Sequence, residues 1–115
     1  MGQFPLSEAG LSAGSVSAAL VTEAGHVYTG ICLDLACGIG FCAEHAAIAS
    51  MLLNRETVIK KIVAVTNDSI LPPCGRCREL MLQIDARNSG CDVILPMGVK
   101  RKLGDLLPFR DELDQ

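Results

Sequence analysis

Apolar and polar positions alternate through Ser15 to Glu23 (SVSAALVTE) and again through His26 to Leu33 (HVYTGICL), with Ala24-Gly25 between them. A period of two on both sides of a small-residue turn predicts a β-hairpin. Residues 1–14 mix Gly, Pro, Ser and small apolar side chains without a period, and read as a loop or a shortened N-terminal arm. Past the glycine-containing stretch Ala36 to Gly40, the segment Cys42 to Asn54 sets Ala43, Ala46, Ala47, Ala49, Met51 and Leu53 among good helix formers. A helix is therefore expected from near Cys42.

Val58 to Thr66 (VIKKIVAVT) is β-branched and stops at Asn67-Asp68, as a central strand would. Pro72 and Pro73 forbid a continuing element, and an amphipathic helix follows from about Gly75 to Ala86. Asp92 to Leu95 reads as a strand, Gly98 to Lys102 as a short strand, and Leu103 to Leu107 as one helical turn before Pro108. Strands alternating with helices predict an α/β fold, a sheet covered by helices. At 115 residues the chain is the size of one domain, taken as residues 1–115.

Charge and composition narrow the function. The formal net charge is -3, and the ten basic residues are scattered apart from Lys100-Arg101-Lys102. Nucleic-acid backbones are bound by clustered cations and stacked bases by aromatic platforms, yet the aromatic residues are only Phe4, Tyr28, Phe41 and Phe109. A small-molecule partner is expected rather than a nucleic acid or a membrane. No stretch has the length of a membrane span or the pattern of a signal peptide, so the expected location is cytoplasmic. In that compartment Cys74-Gly-Arg-Cys77 suggests metal ligation or redox chemistry sooner than a disulfide framework.

The chemistry-bearing residues are Cys42-Ala43-Glu44 at one expected helix start and Pro73-Cys74-Gly75-Arg76-Cys77 at the other. A His or Cys, one residue, a Glu, and later Pro-Cys-x-x-Cys is the signature of zinc deaminases, in which the Glu is not a ligand. Each half alone is weak; their order and helix-start context make the pair specific. Three protein ligands leave the fourth tetrahedral position of a single Zn2+ for water, whose ionisation the metal promotes. Glu44 would then move protons to and from the ring and the leaving amine. Three thiolates on a dication leave excess negative charge, which helix N-terminal amides, Arg76 and His45 are placed to offset. A closed structural zinc clip with His45 as fourth ligand is the competing reading, and with it a noncatalytic zinc-stabilised interaction domain. Cys32, Cys37 and Cys91 are expected to pack as small apolar residues, and His26 to lie at the surface.

At these residues the chain resembles the small, homotetrameric cytidine deaminases and, in PCGRCRE, the related blasticidin-S deaminases. The resemblance runs from about Ser15 to Phe109 and includes the Leu106 to Phe109 segment. It implies a three-layer sandwich with a mixed sheet of about five strands flanked by helices, and active sites built where subunits meet in a homotetramer. It also implies main-chain contacts to the amine near Ala43 and Pro73, and neutralisation of the thiolates by Arg76. The implied reaction converts cytidine, deoxycytidine or a cytosine-nucleoside analogue to the uridine form and ammonia; a blasticidin-S-like or other aminated heterocycle is the alternative. The family reads ribose with Asn-x-Glu, where this chain carries Cys32-Leu33-Asp34, so Asp34 is the expected substrate contact and Cys32 cannot supply an amide. Gly14 stands near the position of a family Phe, His45 where another Arg is common, and the usual N-terminal helix is expected to be shortened or absent.

Overall fold

The computed structural model describes residues 2–106. The expected hairpin is β2 (Ser12–Thr22) and β3 (Val27–Asp34), preceded by a two-residue strand β1 (Phe4–Pro5). Helix α1 (Ala43–Leu53) leads to β4 (Ile59–Val65), the two-residue β5 (Ile70–Leu71) and helix α2 (Gly75–Ile84). A 3-10 turn (Ala86–Gly90), β6 (Asp92–Ile94), β7 (Lys100–Lys102) and the single turn α3 (Leu103–Leu106) complete the described chain. Leu107, Pro108 and Phe109, the rest of the expected final helical turn and C-terminal segment, lie outside the described residues.

One mixed sheet carries all of these strands. Antiparallel pairing joins β3 to β2, β2 to β4 and β6 to β7, and β4 to β6 is parallel. Since β3 and β4 both run opposite to β2, they are parallel to each other and α1 is the crossover between them. The second crossover, from β4 to β6, runs through α2. These five strands are the expected ones. Of the other two, β1 corrects the reading of residues 1–14 as a loop or arm, since Phe4 and Pro5 pair with Ala13 and Ser12, and β5, which pairs with the end of β4, is a strand that was not expected. Two-residue strands form by backbone pairing alone and leave no side-chain period to read. Among the described residues no helix precedes β2.

The main core lies between the sheet and both helices: Leu20, Ile59, Ile62 and Val93 from the strands meet Ala47, Ile48 and Met51 of α1 and Met81 and Leu82 of α2. A smaller cluster of Ala18, Cys32, Ala43 and Ala64 lies at the N-terminal end of α1. Small residues there let the helix start close to the sheet. Asn88 is fully buried and satisfied: its carbonyl accepts from the Ile59 amide at 2.8 Å, and its amide donates to the carbonyls of Thr57 at 3.0 Å and Met81 at 2.9 Å. It ties α2 to the start of β4. The predicted end of α2 at Ala86 moves back to Ile84 because Asp85 leaves the helix and its carboxylate accepts from the Arg87 amide, starting the 3-10 turn.

Gly30 of β3 sets how near α1 can come. A Cβ there would lie 2.5 Å from the Ala47 nitrogen and 2.6 Å from the Ala46 Cβ. Replacing it with alanine must push the helix away. Gly30→Ala is expected to destabilise the fold by about 2–3 kcal/mol, the upper range for overpacking, as read from the denaturant midpoint. It should also lower activity, because the displaced helix carries Cys42 and Glu44.

Candidate active site

Two helix starts converge at one end of the sheet. Cys42 is the N-cap of α1 and Cys74 the N-cap of α2, each with extended backbone and no side-chain cap, so both sulfurs are left free for other partners. Cys77 follows in the first turn of α2, fully buried. The Cys42 and Cys74 sulfurs are 3.5 Å apart, those of Cys74 and Cys77 3.4 Å, and all three lie within 4.8 Å of one another. Sulfurs bound at about 2.3 Å around one tetrahedral zinc lie about 3.8 Å apart, so the spacing suits a metal and is far too long for a disulfide. The three cysteines form a group able to bind a metal ion.

No other His, Cys, Asp or Glu among the described residues joins that group. This bears on the structural clip: His45 does not stand as a fourth ligand. Its ring instead lines an adjacent depression with Gly38, Ile39, Phe41, Ala46 and Arg76, and its buried Nε2 has no hydrogen-bond partner among the described residues. Burial, and secondarily the Arg76 charge, hold the His45 pKa below its ordinary value, favouring the neutral ring.

Burial raises the Cys77 thiol pKa strongly, with nearby Glu44 adding to it, and burial likewise raises that of Cys42. Cys74 differs. Burial pushes it up too, but backbone hydrogen bonds from Cys77 and Arg76 and thiol contacts with Cys77 and Cys42 outweigh that and leave it below the usual thiol value. The first-turn amides of α2 therefore favour one thiolate, as helix N-termini do. The Arg76 guanidinium makes no hydrogen bond to sulfur among the described residues, and Arg78 is committed elsewhere: its Nε donates to the Pro73 carbonyl at 2.9 Å and its Nη1 to the Leu106 carbonyl at 3.0 Å.

Glu44 is 4% exposed, and burial raises its pKa above the ordinary carboxylate value. It sits with Cys42, Ala43, Cys74 and Arg76 in the wall of a cavity of about 380 Å³, large enough for a small ligand. Val16, Phe41, Leu71 and Pro72 give the cavity apolar sides, and Cys32 and Asp34 also line it. Of the expected contacts, Asp34 and Ala43 are at this cavity; Pro73 is buried behind Pro72, with its carbonyl held by Arg78. Cys91 packs in the core as expected, its thiol pushed up to about 12 by burial. Cys37 corrects the expectation of packing: it is exposed with φ 60, because the loop between β3 and α1 turns outward there. His26 is exposed and paired with Glu56 at 2.9 Å.

A metal-competent tricysteine group beside a buried glutamate, under an open cavity at two helix N-termini, defines a hydrolytic site of the zinc-deaminase class. No family profile matches the chain. A cytidine deaminase of Mycobacterium tuberculosis is 32% identical over 103 residues, 87% of this chain and 74% of that protein. A blasticidin-S deaminase of Bacillus cereus is 30% identical over 108 residues, 83% of this chain and 75% of that protein. Among solved structures, a single-substitution mutant of the M. tuberculosis cytidine deaminase superposes with TM-score 0.79 at 31% identity, covering 96% of this chain and 84% of that one. The Mycobacterium leprae cytidine deaminase does so with TM-score 0.73 at 27% identity, covering 81% and 77%. The chain belongs to the cytidine deaminase family.

Sequence reasoning missed Gly30, whose lack of a side chain lets α1 approach, and Ser15, whose contacts are described below. Neither sits in a motif.

Proposed function

We propose that this protein hydrolyses the exocyclic amine of a cytosine nucleoside, cytidine or deoxycytidine, giving the uracil nucleoside and ammonia. The observation that carries the reading is the buried Glu44 beside three cysteine sulfurs within 4.8 Å, in a chain of the cytidine deaminase family. Cys42, Cys74 and Cys77 would hold one Zn2+, a donor set and spacing that fit that ion. Bound there, zinc supplies a Lewis acid that makes water ionisable near neutral pH.

Glu44 accepts a proton from the attacking water and passes one to the ring nitrogen beside the reacting carbon; it then protonates the departing amine. The balance is one water consumed and one ammonia released. A carboxyl with a raised pKa suits this exchange, since it gives up and regains a proton more evenly than an ordinary glutamate. The main chain at Ala43 contacts the amine, and Asp34 accepts a hydrogen bond from a substrate hydroxyl. Arg76 acts on the charge of the thiolate cluster from outside it, and His45, whose lowered pKa favours the neutral ring, adds no charge to it. The reading extends to residues 1–115 as one deaminase domain, a homotetramer, a cytoplasmic location and a place in pyrimidine salvage. For the described residues, the supporting fact on location is that no helix is long and apolar enough to cross a membrane.

Cys32 and Asp34 favour a second reading within the same chemistry. They depart from the family's ribose-reading pair, and the B. cereus blasticidin-S deaminase is a relative, so a nucleoside antibiotic of that kind is the alternative substrate. The test is ammonia release by zinc-loaded protein given cytidine, deoxycytidine, cytosine and blasticidin S in parallel. Release from cytidine or deoxycytidine is expected. Release from blasticidin S alone would establish the second reading, and silence across the panel from folded, zinc-replete protein would overturn both in favour of a noncatalytic zinc-stabilised domain.

A further inference from the structure

Strand β2 breaks register with β3 between Ala13 and Ser17: Ala13 pairs with Leu33 and Ser17 with Ile31, so extra residues of β2 stand against β3. Gly14 takes φ +84 within this bulge, a conformation that a side chain resists. The effect is to aim the Ser15 side chain at the rim of the cavity. Its hydroxyl lies 2.8 Å from Asp34 Oδ2 and 3.1 Å from the Cys32 sulfur.

A serine hydroxyl has one proton to give, and the carboxylate is the stronger acceptor. Ser15 therefore donates to Asp34, and the Cys32 thiol donates back to the Ser15 oxygen. The Val16 amide donates in turn to the Cys32 sulfur at 3.3 Å. This is an ordered chain: Val16 N–H to Cys32, Cys32 S–H to Ser15, Ser15 O–H to Asp34. Cys32, 5% exposed and saturated by its neighbours, supports the chain and is not offered to a ligand. The other approaches to Asp34 Oδ2 are long, Ser12 at 3.5 Å and Cys32 itself at 3.6 Å. Oδ1 accepts no hydrogen bond among the described residues, and Asp34 lines the cavity. One oxygen is anchored and the other is available.

We infer that Ser15 is a positioning residue for substrate specificity: it locks the exposed Asp34 carboxylate so that its second oxygen accepts a single sugar hydroxyl. An exposed aspartate at a strand end otherwise samples several rotamers, and holding one in advance removes that ordering cost from binding. The inference rests on the proposed role of Asp34 as a substrate contact, and goes beyond it by assigning the residue that orients it.

The test uses zinc-loaded full-length protein and steady-state kinetics with cytidine and with analogues that each lack one sugar hydroxyl. Wild type should show a raised KM for one analogue. Ser15→Ala should raise the KM for cytidine about tenfold, roughly one hydrogen bond to a charged group, with kcat little changed, and should erase the penalty for that analogue. The isosteric pair Ser15→Thr and Ser15→Val isolates the hydroxyl at constant shape: threonine should retain the discrimination and valine should lose it. If Ser15→Ala and Ser15→Val keep wild-type discrimination while Asp34→Asn loses it, Ser15 does not position Asp34. If Asp34→Asn also keeps it, the substrate contact assigned to Asp34 is wrong and the role of Ser15 falls with it. A wild type that releases no ammonia from any nucleoside refutes the deaminase reading itself.

Discussion

Glu44→Gln should abolish deamination while leaving the metal in place. The amide matches the carboxylate in shape, so the buried site keeps its packing, yet it cannot take a proton from water or return one to the leaving amine. A general acid–base residue contributes about 10²–10⁴-fold, and the expected kcat falls by at least that much. Metal content, read by atomic absorption, should stay equal to wild type because Glu44 is outside the tricysteine group. Activity that survives within tenfold of wild type would remove Glu44 from the chemistry.

The same substitution should stabilise the metal-free protein at neutral pH. Burial holds the Glu44 pKa above its unfolded value, so the ionised side chain is the form that folding disfavours. The stability linked to this group is greatest below the unfolded pKa and is lost as pH rises through the folded one. Glutamine escapes that loss. A higher thermal midpoint for metal-free Glu44→Gln at pH 7, shrinking toward pH 4, is the expected pattern, and it would make the glutamate a functional group retained at a cost in stability.

Removing the metal should have the second large effect. Chelation, or Cys74→Ala, is expected to reduce turnover to background and to lower the thermal midpoint. A ligand present at about 1,000 times its Kd stabilises by about 4 kcal/mol, which for a chain of this size is roughly 15 °C or more. Affinity should rise with pH, since binding must displace protons from Cys42 and Cys77, whose thiols burial holds protonated beyond the usual range. A midpoint and a turnover both unmoved by chelation, with zinc shown to be lost, would mean that the bound ion has neither a structural nor a catalytic role.

Much of the site was legible because its residues are local to two helix starts. Cys42 and Glu44 are two apart, Cys74 and Cys77 three apart, and a helix beginning at each cysteine is visible in the alanine-rich run after the first and the Pro72-Pro73 break before the second. Spacing within one turn determines which side chains share an end of a helix, whatever the rest of the chain does. The hairpin, the central strand and the α/β order were legible for the same reason, as periods of two and breaks at Gly and Pro.

The contacts that no short window contains were not legible. Strand β1 exists because the backbone of Phe4 and Pro5 finds an open edge of β2, and backbone pairing leaves no mark on residue type. Ser15 reaches Asp34 only because β2 bulges against β3, a register shift set by the pairing on both sides of it. Gly30 reads as a weak point in a strand until α1 is seen lying on it. His45 and Arg76 read as ligand or counter-charge, yet the fold turns the histidine ring into a neighbouring depression. By itself the sequence determined the reactive groups and the helix starts that carry them, because both follow from covalent spacing. Only the tertiary structure decided how close the helix comes, which carboxylate oxygen is anchored and which group has no partner, because those depend on distances between segments brought together by folding.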